Sequence, residues 1–148
     1  MLSRKLLILT IALMGAALLT ACSSSTPAAA PPVGVSVTVD GLGAYTNITP
    51  VELNTMLQSK DFIFVNTHIP YEGEIEQTDS FIAFEENGPQ RVSEYTADES
   101  AKIVLYCRSG RMSAIVAEEL VKAGYAQVWN LDGGMIAWEK AGYKLAQR

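Results

Sequence analysis

The stretch KIVLYCRSGRMSA, residues 102–114, decides the fold. Its first part, residues 103–106, is a continuous apolar run of the kind that forms strands buried on both faces of a parallel sheet. A short loop containing Gly110 follows, and a helical pattern begins at Arg111. In an open parallel sheet the carboxyl ends of the strands face the ligand crevice. We therefore expect Cys107, which directly follows the strand, to lie at the mouth of the fold.

Similar patterns continue on both sides of this stretch. Further apolar runs predict strands at residues 62–65, 81–84 and 128–131, and alternating residues predict a short first strand at 35–39. Helices are expected from Pro50, with Thr49 as N-cap, and at residues 89–95, 111–123 and 135–141, the last two closed by Gly124 and Gly142. Strands alternating with helices predict a single α/β domain. Its central, mainly parallel sheet should have about five strands, with helices on both faces.

The amino terminus has the pattern of an export signal. Arg4 and Lys5 precede a long apolar run, which ends in Leu-Thr-Ala-Cys at Cys22. This ending resembles the bacterial lipoprotein box, in which cleavage precedes a cysteine that is then acylated on sulfur. We expect a signal peptide at residues 1–21, a lipidated tether and linker at 22–44, and the folded domain at 45–148. A plain secretory signal or an uncleaved anchor is the alternative.

The net charge and the number of cysteines limit which partners and ligands the protein can have. The chain has 11 basic and 16 acidic residues, and the excess of acids grows when the signal is removed, which argues against a nucleic-acid partner. We expect a monomer held to a membrane by lipid on Cys22, on the periplasmic or extracellular side of the cell envelope. With Cys22 acylated, Cys107 is the only thiol, and His68 is the only histidine. These are too few ligands for a transition-metal site, and no cofactor is expected.

The residues after Cys107 suit a reactive thiol. Backbone N–H groups at Gly110 and at the start of the helix can form a concave donor cradle for anions, and Arg108 and Arg111 add positive charge. Such surroundings favour the thiolate, which is the nucleophilic form of cysteine. We predict that Cys107 accepts a sulfane sulfur from a small sulfur-containing anion and passes it to a thiol or to cyanide. The alternative is a structural cysteine buried in a strand.

These residues resemble the rhodanese family over about residues 48–145. The resemblance rests on Cys-Arg-Ser-Gly-Arg-Met-Ser at residues 107–113, on Gly124-Tyr125, and on Asn-Leu-Asp-Gly-Gly-Met-Ile-Ala-Trp at residues 130–138. It implies a thiosulfate sulfurtransferase-like enzyme with a persulfide on the catalytic cysteine. It also implies a six-residue substrate loop, which here consists of Cys107, Arg108, Ser109, Gly110, Arg111 and Met112.

One segment departs from that family. Rhodaneses commonly carry Asp-x-Arg followed by Gly-His-Ile-Pro-Gly-Ala after the second strand, whereas residues 66–78 here read NTHIPYEGEIEQT. His68 is a candidate to bind substrate or to shuttle a proton, and its alternative is a hydrogen-bonded structural role. The acidic residues at 72–79 are interpreted as a solvated loop. The departure leaves the choice of substrate open.

Two other functions compete with sulfur transfer. Cysteine phosphatases and arsenate reductases of the rhodanese-like type use a loop one residue longer, with an arginine six positions after the cysteine. That position is Ser113 here. The second competitor is a non-catalytic rhodanese-like module that binds a protein at the cell envelope, against which the intact cysteine argues.

Overall fold

The computed structural model describes residues 34–88 and 90–146. Their six strands form one sheet in the order β1-β2-β6-β5-β3-β4. The strands are β1 (Val35–Val39), β2 (Gly43–Ile48), β3 (Ile63–Asn66), β4 (Ser80–Phe81), β5 (Ile103–Tyr106) and β6 (Val128–Leu131). Strands β1 and β2 form an antiparallel hairpin, and every other neighbouring pair is parallel. The predicted α/β domain with a mainly parallel sheet is confirmed.

The described residues contain three α-helices: α1 (Pro50–Leu57) between β2 and β3, α2 (Arg111–Lys122) between β5 and β6, and α3 (Gly134–Lys140) after β6. Helix α1 begins as predicted, because Thr49 and Glu52 form a reciprocal capping box and Pro50 occupies the first turn. After α2 and α3, Gly124 and Gly142 adopt φ angles of +103° and +91°, which β-carbon-bearing residues rarely adopt.

Two predicted elements are wrong in extent. In place of a helix at residues 89–95, the structure has a 3₁₀ helix at Val92–Glu94, none of whose residues is buried. Val92 packs against the core and Tyr95, directly after the 3₁₀ helix, is buried in it, so one short turn is enough to place both side chains. The apolar run at residues 81–84 joins the sheet only as the two-residue strand β4. Beyond it, the N–H of Phe84 bonds to the carbonyl of Thr67, which lies past the end of β3.

Strand β5 lies between the two apolar layers of the domain, and all four of its residues are fully buried. Successive side chains of a strand point to opposite faces. Ile103 and Leu105 therefore pack in the layer that contains the buried face of α2, while Val104 and Tyr106 pack in the layer that contains α1 and α3. Because side chains pack against both faces of β5, the position of its carboxyl end is fixed, and Cys107 follows directly.

The sheet begins upstream of residue 45, inside the segment 22–44 that was assigned to tether and linker. The predicted first strand is present as β1, which pairs with β2 along its whole length and buries Val39 in the core. Residues 1–21 and Cys22, with the predicted signal and lipid anchor, lie outside the described residues. Between residues 34 and 146, apart from residue 89, no helix has the length and apolar character needed to cross a membrane.

Candidate active site

Cys107 lies immediately after β5, and only 1% of the residue is exposed. Its Sγ accepts a hydrogen bond of 3.1 Å from the backbone N–H of Gly110. Gly110 is the N-cap of α2 and has a φ of +85°, so the chain turns back on the sulfur within three residues. A β-carbon at Gly110 would lie 3.0 Å from the nitrogen of Gly133, so the turn also packs closely against the segment before α3. The sulfur therefore faces a fixed N–H donor.

The carbonyl side of this loop is held by α3. The N–H groups of Met135 and Ile136 donate to the carbonyls of Cys107 and Arg108 at 2.9 and 3.0 Å. This contact requires Gly134, because a β-carbon there would lie 2.2 Å from the carbonyl oxygen of Cys107. Gly134 was not among the site residues predicted from the sequence. The Gly-Gly pair at residues 133–134 was the available signal.

The other predicted loop residues have different exposures. Arg108, Ser109 and Arg111 are exposed, whereas Met112 packs against the core cluster that contains the buried face of α2. The guanidinium carbon of Arg111 lies 6.0 Å from the ring centre of Phe84. The rim of the loop is thus polar and cationic, and its interior is formed by backbone.

Asn66, the last residue of β3, organises the segment that departs from the rhodanese pattern. Its Oδ1 accepts a hydrogen bond from the backbone N–H of His68 at 2.9 Å, and its Nδ2 donates to the carbonyl of Gly73 at 3.1 Å. These bonds close residues 66–73 into a compact loop at the carboxyl edge of the sheet. His68 is thereby buried beside that edge, with 7% of its side chain exposed.

Glu72 joins this segment to the cysteine loop. Its Oε2 forms an ion pair with Nη1 of Arg108, and the same oxygen lies 3.4 Å from Nε2 of His68. The interpretation of residues 72–79 as a solvated loop is wrong at Glu74, which is buried, whereas Glu72, Glu76 and Asp79 are exposed. Glu74 is 5% exposed, and Asp79 accepts the N–H of Phe64 at 2.7 Å. The sequence carries no local signal for these contacts, which join residues distant along the chain.

Tyr106 anchors the base of the site. Its phenolic oxygen accepts the N–H of Ile75 at 3.0 Å and lies 2.7 Å from the hydroxyl of Thr78. Burial raises the pKa of Tyr106 above its ordinary value, so the phenol stays neutral at physiological pH. The carbonyl of Tyr106 also accepts the N–H of Thr67 at 2.8 Å. Tyr106, the residue before Cys107, therefore makes hydrogen bonds near both ends of the variant segment, residues 66–78.

A polar pocket adjoins the loop on the side of Arg108. It is lined by Glu72, Arg108, Glu139, Gly142, Tyr143, Lys144 and Leu145. Across residues 34–88 and 90–146, no cluster of three or more His, Cys, Asp or Glu side chains could hold a metal ion.

An open α/β sheet with a cysteine at the end of its central strand, facing an N–H donor, is an arrangement that can hold an anion beside a thiol. A model of the rhodanese-like domain matches residues 50–141. The chain belongs to the rhodanese-like family.

Individual relatives differ in length and in name. Over 110 residues the chain is 27% identical to a tRNA uridine(34) hydroxylase of Salmonella arizonae, covering 71% of this chain and 31% of that protein. The chain thus spans about a third of that relative's length.

Among solved structures, the rhodanese-like domain of an Anabaena protein is similar with a TM-score of 0.58 and 20% identity, over 69% of this chain and 79% of that one. A Rhodopseudomonas palustris protein, named as a possible tyrosine phosphatase, has a TM-score of 0.54 and 23% identity, over 69% and 85% of the two chains. At these identities the two structures show the shared fold alone.

Proposed function

We propose that the protein is a sulfurtransferase in which Cys107 carries a sulfane sulfur as a persulfide. The observation that carries this proposal is the hydrogen bond from the N–H of Gly110 to the buried sulfur of Cys107. A hydrogen bond to an ionised acceptor is stronger than one to a neutral acceptor, so this donor suits the negative charge that sulfur carries during the proposed exchange. Membership of the rhodanese-like family supports sulfur transfer or related enzyme chemistry.

The proposed reaction has two steps. The Cys107 thiolate attacks the outer sulfur of thiosulfate, or of a related donor, and forms a new S–S bond. The old S–S bond of thiosulfate breaks, and sulfite leaves with its electron pair. An acceptor thiolate or cyanide then attacks the outer sulfur of the persulfide, taking that sulfur and regenerating the Cys107 thiolate. Each step exchanges one bond to sulfur for another, so neither needs an external oxidant or reductant.

Mass spectrometry of the full chain tests the proposal. After incubation with thiosulfate or polysulfide, the wild-type chain should gain the mass of one sulfur atom, and a reducing agent should remove it. Cys107→Ser should abolish the gain. Cys22→Ser is the matched control and should retain it, since it removes the other cysteine of the chain. A gain that survives in Cys107→Ser and disappears in Cys22→Ser would refute the assignment.

A phosphatase is the second candidate, since the Rhodopseudomonas palustris protein with this fold is named as a possible tyrosine phosphatase. The position six residues after the cysteine is Ser113, which is buried and donates its hydroxyl to the carbonyl of Gly110 at 3.2 Å. It supplies no guanidinium for a phosphoryl group. The comparison of aryl phosphate with thiosulfate as substrate separates the two candidates, and preference for the phosphate would favour the phosphatase.

A tRNA-modifying role is less well supported. It rests on the printed activity of relatives of which this chain spans about a third. The formal charge of −5 opposes binding to a phosphate backbone.

We also propose that the domain is anchored to the outer face of a bacterial membrane through lipid on Cys22, in the periplasm or outside the cell. The support is the Leu-Thr-Ala-Cys ending of the apolar segment and the Ser-, Ala- and Pro-rich residues that follow it. Because two or more acyl chains anchor a protein stably, no basic surface patch is needed for attachment.

A further inference from the structure

Glu72 sits between the two segments that form the mouth of the site. It comes from the variant segment after β3, whereas Arg108, its ion-pair partner, comes from the cysteine loop. The same Glu72 oxygen lies 3.4 Å from the imidazole of His68, which is almost wholly buried. The ion pair with Arg108 holds Glu72 at this position, and the buried imidazole lies beside the same carboxylate oxygen.

This placement changes the charge that an incoming donor meets. The cysteine loop has two cations, Arg108 and Arg111, but the charge of Arg108 is offset by Glu72. Glu139 lines the same pocket and adds a second carboxylate. Among residues 34–88 and 90–146 no ion pair of Arg111 is present, and its guanidinium lies over the ring of Phe84, so no paired carboxylate offsets its charge. The loop therefore presents less positive charge than its two arginines suggest.

We propose that Glu72 is a specificity-determining residue that disfavours dianionic donors and selects sulfur donors of lower charge, such as an alkyl hydropersulfide. This inference rests on the proposed sulfurtransferase function. The Cys107 thiolate attacks the outer sulfur of R–S–SH, the S–S bond of the donor breaks, and the thiolate R–S⁻ leaves with the electron pair. The proton stays on the transferred sulfur. Glu72 repels a second negative charge on the donor and has no such effect on a neutral one.

Alkylation of Cys107 tests the charge effect without requiring sulfur transfer. Iodoacetate is an anion and iodoacetamide is its neutral analogue, so the ratio of their rate constants at Cys107 reports the local potential. Peptide mass spectrometry on the full chain resolves Cys107 from Cys22. In Glu72→Gln the ratio should rise about threefold at low salt, as expected for the loss of one nearby unit charge in a water-like medium. The difference should largely disappear at about 1 M salt.

Two variants control for other effects. Glu76→Gln makes the same charge change at an exposed position of the same segment and should leave the ratio near the wild-type value. Glu72→Asp keeps the charge and should also stay near wild type. The proposal is overturned if Glu76→Gln raises the ratio as much as Glu72→Gln. An equal shift in Glu72→Asp would also overturn it, because the cause would then be a change in loop structure.

Donor choice completes the test. In Glu72→Gln the rate of Cys107 persulfide formation from thiosulfate should rise about ninefold relative to the rate from a neutral alkyl hydropersulfide, because each of the two charges of thiosulfate contributes a factor of about three. An unchanged relative rate would refute the specificity claim while leaving sulfur transfer intact. If wild-type Cys107 accepts sulfur from neither donor, the proposed function fails, and the alkylation ratios still decide whether Glu72 sets the charge.

Discussion

Replacing Gly134 with alanine should destabilise the domain and disturb Cys107 together. Gly134 has a φ of +56°, and a residue with a β-carbon is strained in that region by about 1–2 kcal/mol. The new β-carbon would also lie 2.2 Å from the carbonyl oxygen of Cys107, whereas real β-carbons essentially never approach within 3.0 Å. The cysteine loop must therefore move by roughly 0.8 Å, since side-chain packing leaves no free space to absorb the clash.

That movement acts on two hydrogen bonds. The bonds from Met135 to the carbonyl of Cys107 and from Ile136 to that of Arg108 are 2.9 and 3.0 Å long, and a displacement of this size takes them beyond hydrogen-bond range. Each contributes about 1 kcal/mol to stability. Together with the backbone strain, Gly134→Ala should cost about 3–4 kcal/mol, which lowers Tm by about 12–16 °C for a domain of this size.

Gly142→Ala provides the matched control. Gly142 also has a positive φ, +91°, but nothing lies within 4 Å of the position its β-carbon would take. This variant should cost only about 1–2 kcal/mol. Urea unfolding measures both costs, and the rate of Cys107 alkylation by iodoacetamide should change in Gly134→Ala alone. Equal losses of stability in the two variants, with unchanged alkylation in both, would refute the role of Gly134 in holding the loop.

Two further predictions concern residues away from the sulfur. Hydrogen bonds from the backbone N–H of Thr49, and then from its hydroxyl, hold the pKa of Glu52 below its ordinary value. The ionised Glu52 therefore stabilises the folded state above about pH 4.3. This stabilisation is lost as the pH falls through the pKa of Glu52 in the folded state. Because Glu52 is only half-buried, Glu52→Gln should lower the free energy of unfolding at pH 7 by no more than about 1 kcal/mol and should flatten its loss in acid. An unchanged acid limb in urea titrations would count against this contribution. Tyr106→Phe removes the acceptor of the buried Ile75 N–H and should lower the free energy of unfolding, measured in urea, by about 1–3 kcal/mol. A decrease of less than about 0.5 kcal/mol would contradict this account.

The regular elements could be predicted where a local pattern determines them. The runs at residues 103–106 and 128–131 form β5 and β6 with the predicted bounds, since they are short, apolar and buried in the sheet. Thr49 and Pro50 likewise define the start of α1, because capping depends on neighbouring residues. The extent of β4 could not be predicted from the apolar run at residues 81–84, because only Ser80–Phe81 pair with β3 at the edge of the sheet.

The site could be predicted only in part. The cysteine, the loop and the position at the end of β5 follow from a continuous stretch of chain. The ion pair of Glu72 with Arg108 joins residues 36 positions apart, and no local spacing encodes it. The contact of Gly134 with the loop also depends on how α3 packs against β5. Interactions of this kind are set by tertiary structure, which is why the charge of the loop could not be derived from its sequence.

The central claim, that Cys107 carries transferable sulfur, is tested most directly by single-turnover stoichiometry. The full chain is loaded with thiosulfate, separated from free donor, and then treated with cyanide. One equivalent of thiocyanate per chain should form as the mass of the protein falls by one sulfur atom, and the Cys107→Ser variant should release none. Release of thiocyanate from that variant at the wild-type rate, or no release from the loaded wild-type chain, would contradict the account.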